Sequence, residues 1–157
     1  MEIERKFLLD GPPDGLNGYE AQRFEQGYLA IDPAGSEVRV RRKDGTTTVI
    51  TVKLGIGLVR GEEEWEIEPA RFDALWPLTV GRRVVKTRYF VPLEDGLVAE
   101  VDVYDGDLDG LVTAEIEFPD EATALAYAAP SWLGVDVTED PRYANRTLAL
   151  EGIPARR

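Results

Sequence analysis

Charged and apolar residues alternate with a period of two through much of this chain, so that extended segments would carry their charges on one face. In Val38-Arg39-Val40-Arg41 the two arginines share a strand face and the valines share the other. Thr51 and Lys53 likewise oppose Ile50, Val52 and Leu54. Arg60, Glu62, Glu64, Glu66 and Glu68 oppose Trp65 and Ile67, and Lys86 and Arg88 oppose Val85, Thr87 and Tyr89. Glu100 and Asp102 oppose Val101 and Val103, while Glu115 and Glu117 oppose Ala114, Ile116 and Phe118. The first segment has the same form, with Glu2, Glu4 and Lys6 facing away from Ile3, Arg5 and Phe7. This pattern predicts strands near 2–9, 19–30, 36–43, 46–54, 60–68, 83–92, 97–104 and 112–118. Turn signals separate them, Asp44-Gly45 being the hairpin signal between the third and fourth. Short helices are expected at 70–76, 121–128 and 141–150, the second with an apolar stripe of Ala122, Leu125 and Ala126. Eight antiparallel strands with a few covering helices predict a mainly β (α+β) chain closed into an eight-stranded barrel, a single domain over 1–157.

The signs of the charges bear on what that barrel encloses. A solvated face accounts for any one strand, but solvated faces commonly mix charges in cross-strand pairs. Here whole strands are acidic (2–4, 62–68, 100–102, 115–117) or basic (39–41, 86–88). Like charges side by side are costly unless a ligand or counter-ion compensates them. A charged interior with an apolar outside covered by helices fits the segregation better.

Composition narrows the chemistry. The 157 residues include no Cys and no His, which removes disulfides, thiolate chemistry, a Ser-His-Asp triad and histidine metal sites. A bound metal would sit among oxygens, which points to Mg²⁺ or Mn²⁺. The net charge of −12 argues against nonspecific binding to nucleic acid or anionic membrane. No apolar run approaches the roughly 18 residues of a membrane span, and the acidic start is unlike a signal peptide, so a cytoplasmic location is expected.

Glu2-x-Glu4-x-Lys6 resembles the ExExK signature of the CYTH superfamily, the triphosphate tunnel metalloenzymes. The resemblance continues in order through Gln26-Gly27-Tyr28-Leu29, Arg39-x-Arg41, Thr51-x-Lys53, Arg60-x-Glu62-x-Glu64, Lys86-Thr87-Arg88-Tyr89, Glu100-x-Asp102 and Glu115-x-Glu117. Thr138-Glu139-Asp140-Pro141-Arg142-Tyr143 is similar to compact bacterial members, so essentially the whole chain is covered. The resemblance implies a tunnel that hydrolyses a small triphosphate, above all inorganic tripolyphosphate, to pyrophosphate and phosphate. It implies two divalent ions during turnover, one bridging phosphates and one activating the attacking water. Glu2, Glu4, Asp102, Glu115 and Glu117 are the expected metal ligands, with Glu100 a weaker candidate. Glu62, Glu64, Lys86 and Arg88 are the expected catalytic groups. Lys6, Arg39, Arg41, Lys53, Arg60, Lys86 and Arg88, with Tyr28, are the expected triphosphate contacts. Thiamine triphosphatase, adenylate cyclase and non-catalytic polyphosphate binding are the alternatives. Trp65, Trp76 and Trp132 read as packing residues rather than base-stacking platforms. The surplus acid at Glu63, Glu66 and Glu68 is left without a role, and the oligomeric state without an expectation.

Overall fold

In a computed structural model, residues 3–54 and 61–155 are described. The expected strands form β1 (Ile3–Leu8), β2 (Ala21–Ile31), β3 (Glu37–Lys43), β4 (Thr47–Leu54), β5 (Gly61–Glu66), β6 (Arg83–Pro92), β7 (Val98–Asp105) and β8 (Val112–Phe118). A two-residue strand that periodicity does not reveal, β9 (Val135–Asp136), lies beyond β1. All nine join one antiparallel sheet in the order β5-β4-β3-β2-β6-β7-β8-β1-β9. Two parts of the barrel expectation are therefore corrected. Among the described residues the strands number nine and no ladder joins β5 to the other edge, so the sheet is not closed. Asp44 and Gly45 both have positive φ, 52° and 72°, as the Asp-Gly turn between β3 and β4 requires.

Alternation gives this sheet two unlike faces. On one, Phe7, Val91, Ala99, Val101, Ala114, Ile116 and Phe118 form a dry core with Leu9, Leu16, Ala124 and Leu133. Helix α2 (Glu121–Ala126) covers part of it, capped by Asp120, whose side chain accepts from the Thr123 N–H. Its single buried residue is Ala124; Leu125 is 78% exposed, so the expected Ala122, Leu125, Ala126 stripe is overturned. The helix stops at Ala126 because Tyr127 is extended, which leaves too short a helix for that stripe to reach the sheet.

Helix α1 (Pro69–Leu75), with Pro at its first position, seats Phe72 against β3 and β4 and runs into a tight turn at Trp76–Thr79. That turn packs on β2 at Gly27, where a Cβ would lie 2.5 Å from the Thr79 hydroxyl. The expected helix at 141–150 divides into a tight turn at Pro141–Tyr143 and α3 (Asn145–Glu151), because Ala144 between them is extended. Helix α3 lies against β2 and β6. Leu148 and Ala149 there join Tyr28, Val84, Tyr104, Leu108, Leu111, Val137 and Tyr143 in a second apolar cluster. Strand parity puts Tyr28, Val84 and Tyr104 on the charged face, so apolar side chains fill the end of that face beneath α3. No helix among the described residues is long and apolar enough to cross a membrane.

Candidate active site

Strand register gathers the alternating charges onto one face. Lys6 stands opposite Glu115 and Glu4 opposite Glu117; Glu115 also stands opposite Glu100, and Asp102 opposite Arg88. Beyond β6, Lys86 pairs with Phe24, Gln26 with Arg41, Tyr28 with Arg39, Arg39 with Thr51, Thr51 with Glu64 and Lys53 with Glu62. Every expected site residue among those described is thus on the same side of the sheet. Glu2 and Arg60 lie outside the described residues.

Depth is not uniform across this face. Asp102 is fully buried and Lys86 nearly so. Lys86 Nζ donates to Asp102 Oδ2 at 2.8 Å, while Arg88 donates Nε to Oδ1 at 2.8 Å and Nη2 to Oδ2 at 3.1 Å. Burial alone would raise the Asp102 pKa, but the Lys86 charge and the Arg88 hydrogen bonds hold it below the ordinary carboxylate range. Arg88 is the counterpart: burial works against its charge, and the bond to Asp102 outweighs that and raises its pKa. Its Nη1 also meets Glu100 Oε2 at 3.1 Å. Both oxygens of Asp102 are thereby engaged by cations, which makes it an anchor for Lys86 and Arg88 in this arrangement.

Lys6 Nζ donates to the Tyr143 main-chain carbonyl at 2.5 Å and lies 3.6 Å from Glu115 Oε1. Burial lowers its pKa, against the opposing pull of Glu115. Glu100 is raised, first by burial and then by Glu115 and Asp102, with Arg88 working the other way. Glu4 and Glu117 are exposed. Among the described residues, no group of three or more acidic side chains is drawn together as a formed metal centre. The face nonetheless brings Glu4 beside Glu117 and Glu100 beside Glu115, two like-charged pairs of hard oxygen donors suited to a divalent cation of the Mg²⁺ or Mn²⁺ kind.

Across β2 the contacts loosen. Arg41 Nη2 is 3.9 Å from Glu64 Oε1, and Arg39 Nη1 is 3.8 Å from Glu37 Oε2. Thr51 Oγ1 donates to Glu64 Oε2 at 2.9 Å, while Glu62 is exposed and Lys53 partly so. Tyr28, expected as a triphosphate contact, is 1% exposed under α3 and accepts from Gln26 Nε2 at 3.1 Å. The tryptophans are all off this face. Trp76 stacks on Phe72, Trp132 packs against the main core, and Trp65 sits half exposed on the back of β5.

The charge pattern passed over several residues. Phe24 is buried on the charged face with the guanidinium carbons of Arg41 and Arg88 at 5.5 and 5.4 Å from its ring centre, holding arginines of two strands over one aromatic ring. Glu37, two residues before Arg39, shares its parity, and that spacing is the signal that could have found it. Arg146 approaches Glu37 from α3, and no strand pattern marks it.

A single antiparallel sheet with one apolar face, and one face of anchored cations and paired carboxylates, defines a class of β protein suited to a highly charged anion. No family model matches the chain. It is 46% identical over 149 residues to an inorganic triphosphatase of Nitrosomonas europaea, covering 95% of this chain and 97% of that one. It is 37% identical over 150 residues to an inorganic triphosphatase of Acetivibrio thermocellus, covering 94% and 92%. The crystal structure of the inorganic triphosphatase NE1496 matches 99% of this chain and 97% of its own at a TM-score of 0.83 and 43% identity. The chain belongs to the inorganic triphosphatase family. A Hippeastrum protein described as a putative adenylyl cyclase with a dominant triphosphatase activity shares the fold at a TM-score of 0.55 and 18% identity.

Proposed function

We propose that the protein hydrolyses inorganic tripolyphosphate to pyrophosphate and phosphate, with a divalent cation, on the charged face of its sheet. The observation that carries this reading is the gathering of Lys6, Arg39, Arg41, Lys53, Lys86 and Arg88 onto one face beside the Glu4–Glu117 and Glu100–Glu115 pairs. Tripolyphosphate is among the few small molecules with enough charge to engage so many cations at once. The family membership supports the same substrate.

Phosphoryl transfer depends on positioning and charge stabilisation more than on covalent chemistry. Asp102 holds Lys86 and Arg88 in fixed places, where they neutralise charge on the leaving phosphate. Arg39 and Arg41 offer planar forks for bidentate phosphate contacts, while Lys53 and Lys6 act as point charges. Glu4, Glu117, Glu115 and Glu100 would hold the Mg²⁺ or Mn²⁺, with Glu62 and Glu64 completing the acidic surround. The bound ion supplies charge neutralisation and polarisation of phosphate oxygens. In this reading the sheet curls into a tunnel around the bound anion, as the twist accumulated over so many strands favours.

The test is incubation with tripolyphosphate and Mg²⁺ or Mn²⁺, with identification of the products. Pyrophosphate and phosphate in equal amounts, abolished by EDTA, are expected. No phosphate release with either metal would reject the reading. Cyclic AMP from ATP in its place would turn it to the cyclase alternative.

A further inference from the structure

On β3 the charged face runs Arg41, Arg39, Glu37, so the row of cations ends in a carboxylate. Glu37 stands opposite Lys53 in register and beneath α3, with its side chain 10% exposed. A carboxylate serving as counter-ion closes to about 2.7–2.9 Å on its cation, as Asp102 does on Lys86. Glu37 does not. Its Oε2 stays 3.8 Å from Arg39 Nη1, and its Oε1 stays 4.0 Å from Arg146 Nη1. Oε2 is buried and accepts no hydrogen bond among the described residues; Arg39 Nε and, beside Arg146, Asn145 Oδ1 are in the same condition. Two unsatisfied polar atoms, on Glu37 and Arg39, thus lie at this end of the row, and such atoms normally cost stability.

A loosely held carboxylate at that point acts on whatever anion lies along the row. A phosphate chain reaching past Arg41 and Arg39 would bring its next anionic group against Glu37, and Tyr28, opposite Arg39, belongs with Leu148 and Tyr143 to the apolar cluster beneath α3 at this end of the face. We propose that Glu37 is a specificity-determining residue that limits the length of the bound anion, admitting three phosphoryl groups and rejecting a fourth by charge repulsion. The proposal rests on the triphosphatase reading above.

The test compares kcat/KM for tripolyphosphate and tetrapolyphosphate at saturating Mg²⁺ in the wild type, Glu37→Gln and Glu37→Asp. Glu37→Gln should raise the tetrapolyphosphate-to-tripolyphosphate ratio at least about tenfold, and Glu37→Asp, which keeps the charge, should restore most of the discrimination. An unchanged ratio overturns the proposal. So does an equal loss on both substrates, which would make Glu37 a counter-ion that only orders Arg39. A wild type inactive on tripolyphosphate rejects the functional reading itself, an outcome separable from either of these. Melting curves establish that each variant folds, and Glu37→Met, uncharged and of similar length, repeats the comparison if Glu37→Gln does not.

Discussion

The two flanks of the charged face are built on opposite plans. On β6, β7, β8 and β1, Asp102 is buried between Lys86 and Arg88 at 2.8–3.1 Å, and Lys6 is tied to the Tyr143 carbonyl. On β3, β4 and β5, Arg39 and Arg41 approach their carboxylates no closer than 3.8 and 3.9 Å, and Glu62 and Glu64 are open to solvent. Phe24 stands between the flanks with an arginine from each over its ring. The tight flank is preorganised, so its groups need little rearrangement when charge develops. The loose flank keeps its cations available to exchange a distant carboxylate for a phosphate.

The contrast breaks most visibly at Asp102. Asp102→Ala should leave Lys86 and Arg88 buried without their counter-ion and cost about 3–5 kcal/mol, read by urea denaturation. The same residue gives the tight flank an acid limit. Its folded pKa lies below the unfolded value, so its stabilisation is present above the ordinary Asp range near pH ~3.9 and is lost as pH falls through the folded pKa. Asp102→Asn should lose that limb of the stability–pH curve.

Next in size is Glu4→Gln, which should lower kcat by on the order of 100-fold or more with the melting curve retained, since Glu4 is exposed and its proposed part is ligation. Near-normal turnover at limiting Mg²⁺ would remove the first strand from the metal site. On the loose flank, Arg39→Ala and Arg41→Ala should each raise KM for tripolyphosphate by roughly 1.5–3 kcal/mol of lost binding, with stability little changed. If they unfold the protein instead, the two flanks are alike and the comparison fails. The smallest effect belongs to the back of the sheet. Asp73→Ala removes an exposed partner 3.3 Å from Arg42 and should cost about 0.5 kcal/mol or less, with kinetics unchanged.

These differences set what could be read from residues alone. Alternation revealed which side chains share a face, because a one-residue shift of parity would turn Arg39 or Glu115 into the apolar core. It could not reveal depth: Asp102 and Glu117 look alike in a strand pattern, yet one is buried between cations and the other is exposed. Val135–Asp136 is too short to alternate, so β9 left no signal. The Ala122, Leu125, Ala126 stripe failed because a six-residue helix has too few turns for periodicity to decide which residue meets the sheet. That no ladder joins β5 to the far edge among the described residues is a matter of accumulated twist, which no local pattern encodes.

The acidic surplus around β5 bears on how copies of this chain meet in solution. Among the described residues β5 is hydrogen-bonded to β4 on one side, which leaves a sheet edge of the kind that recruits another strand. In Gly61–Glu66 every residue is exposed, and four of the six are glutamates. A second β5 laid alongside would bring its four glutamates close to the four of the first. An edge that would otherwise invite fibre-like stacking is thereby made self-repelling, and salt that screens its carboxylates should be what weakens that protection first.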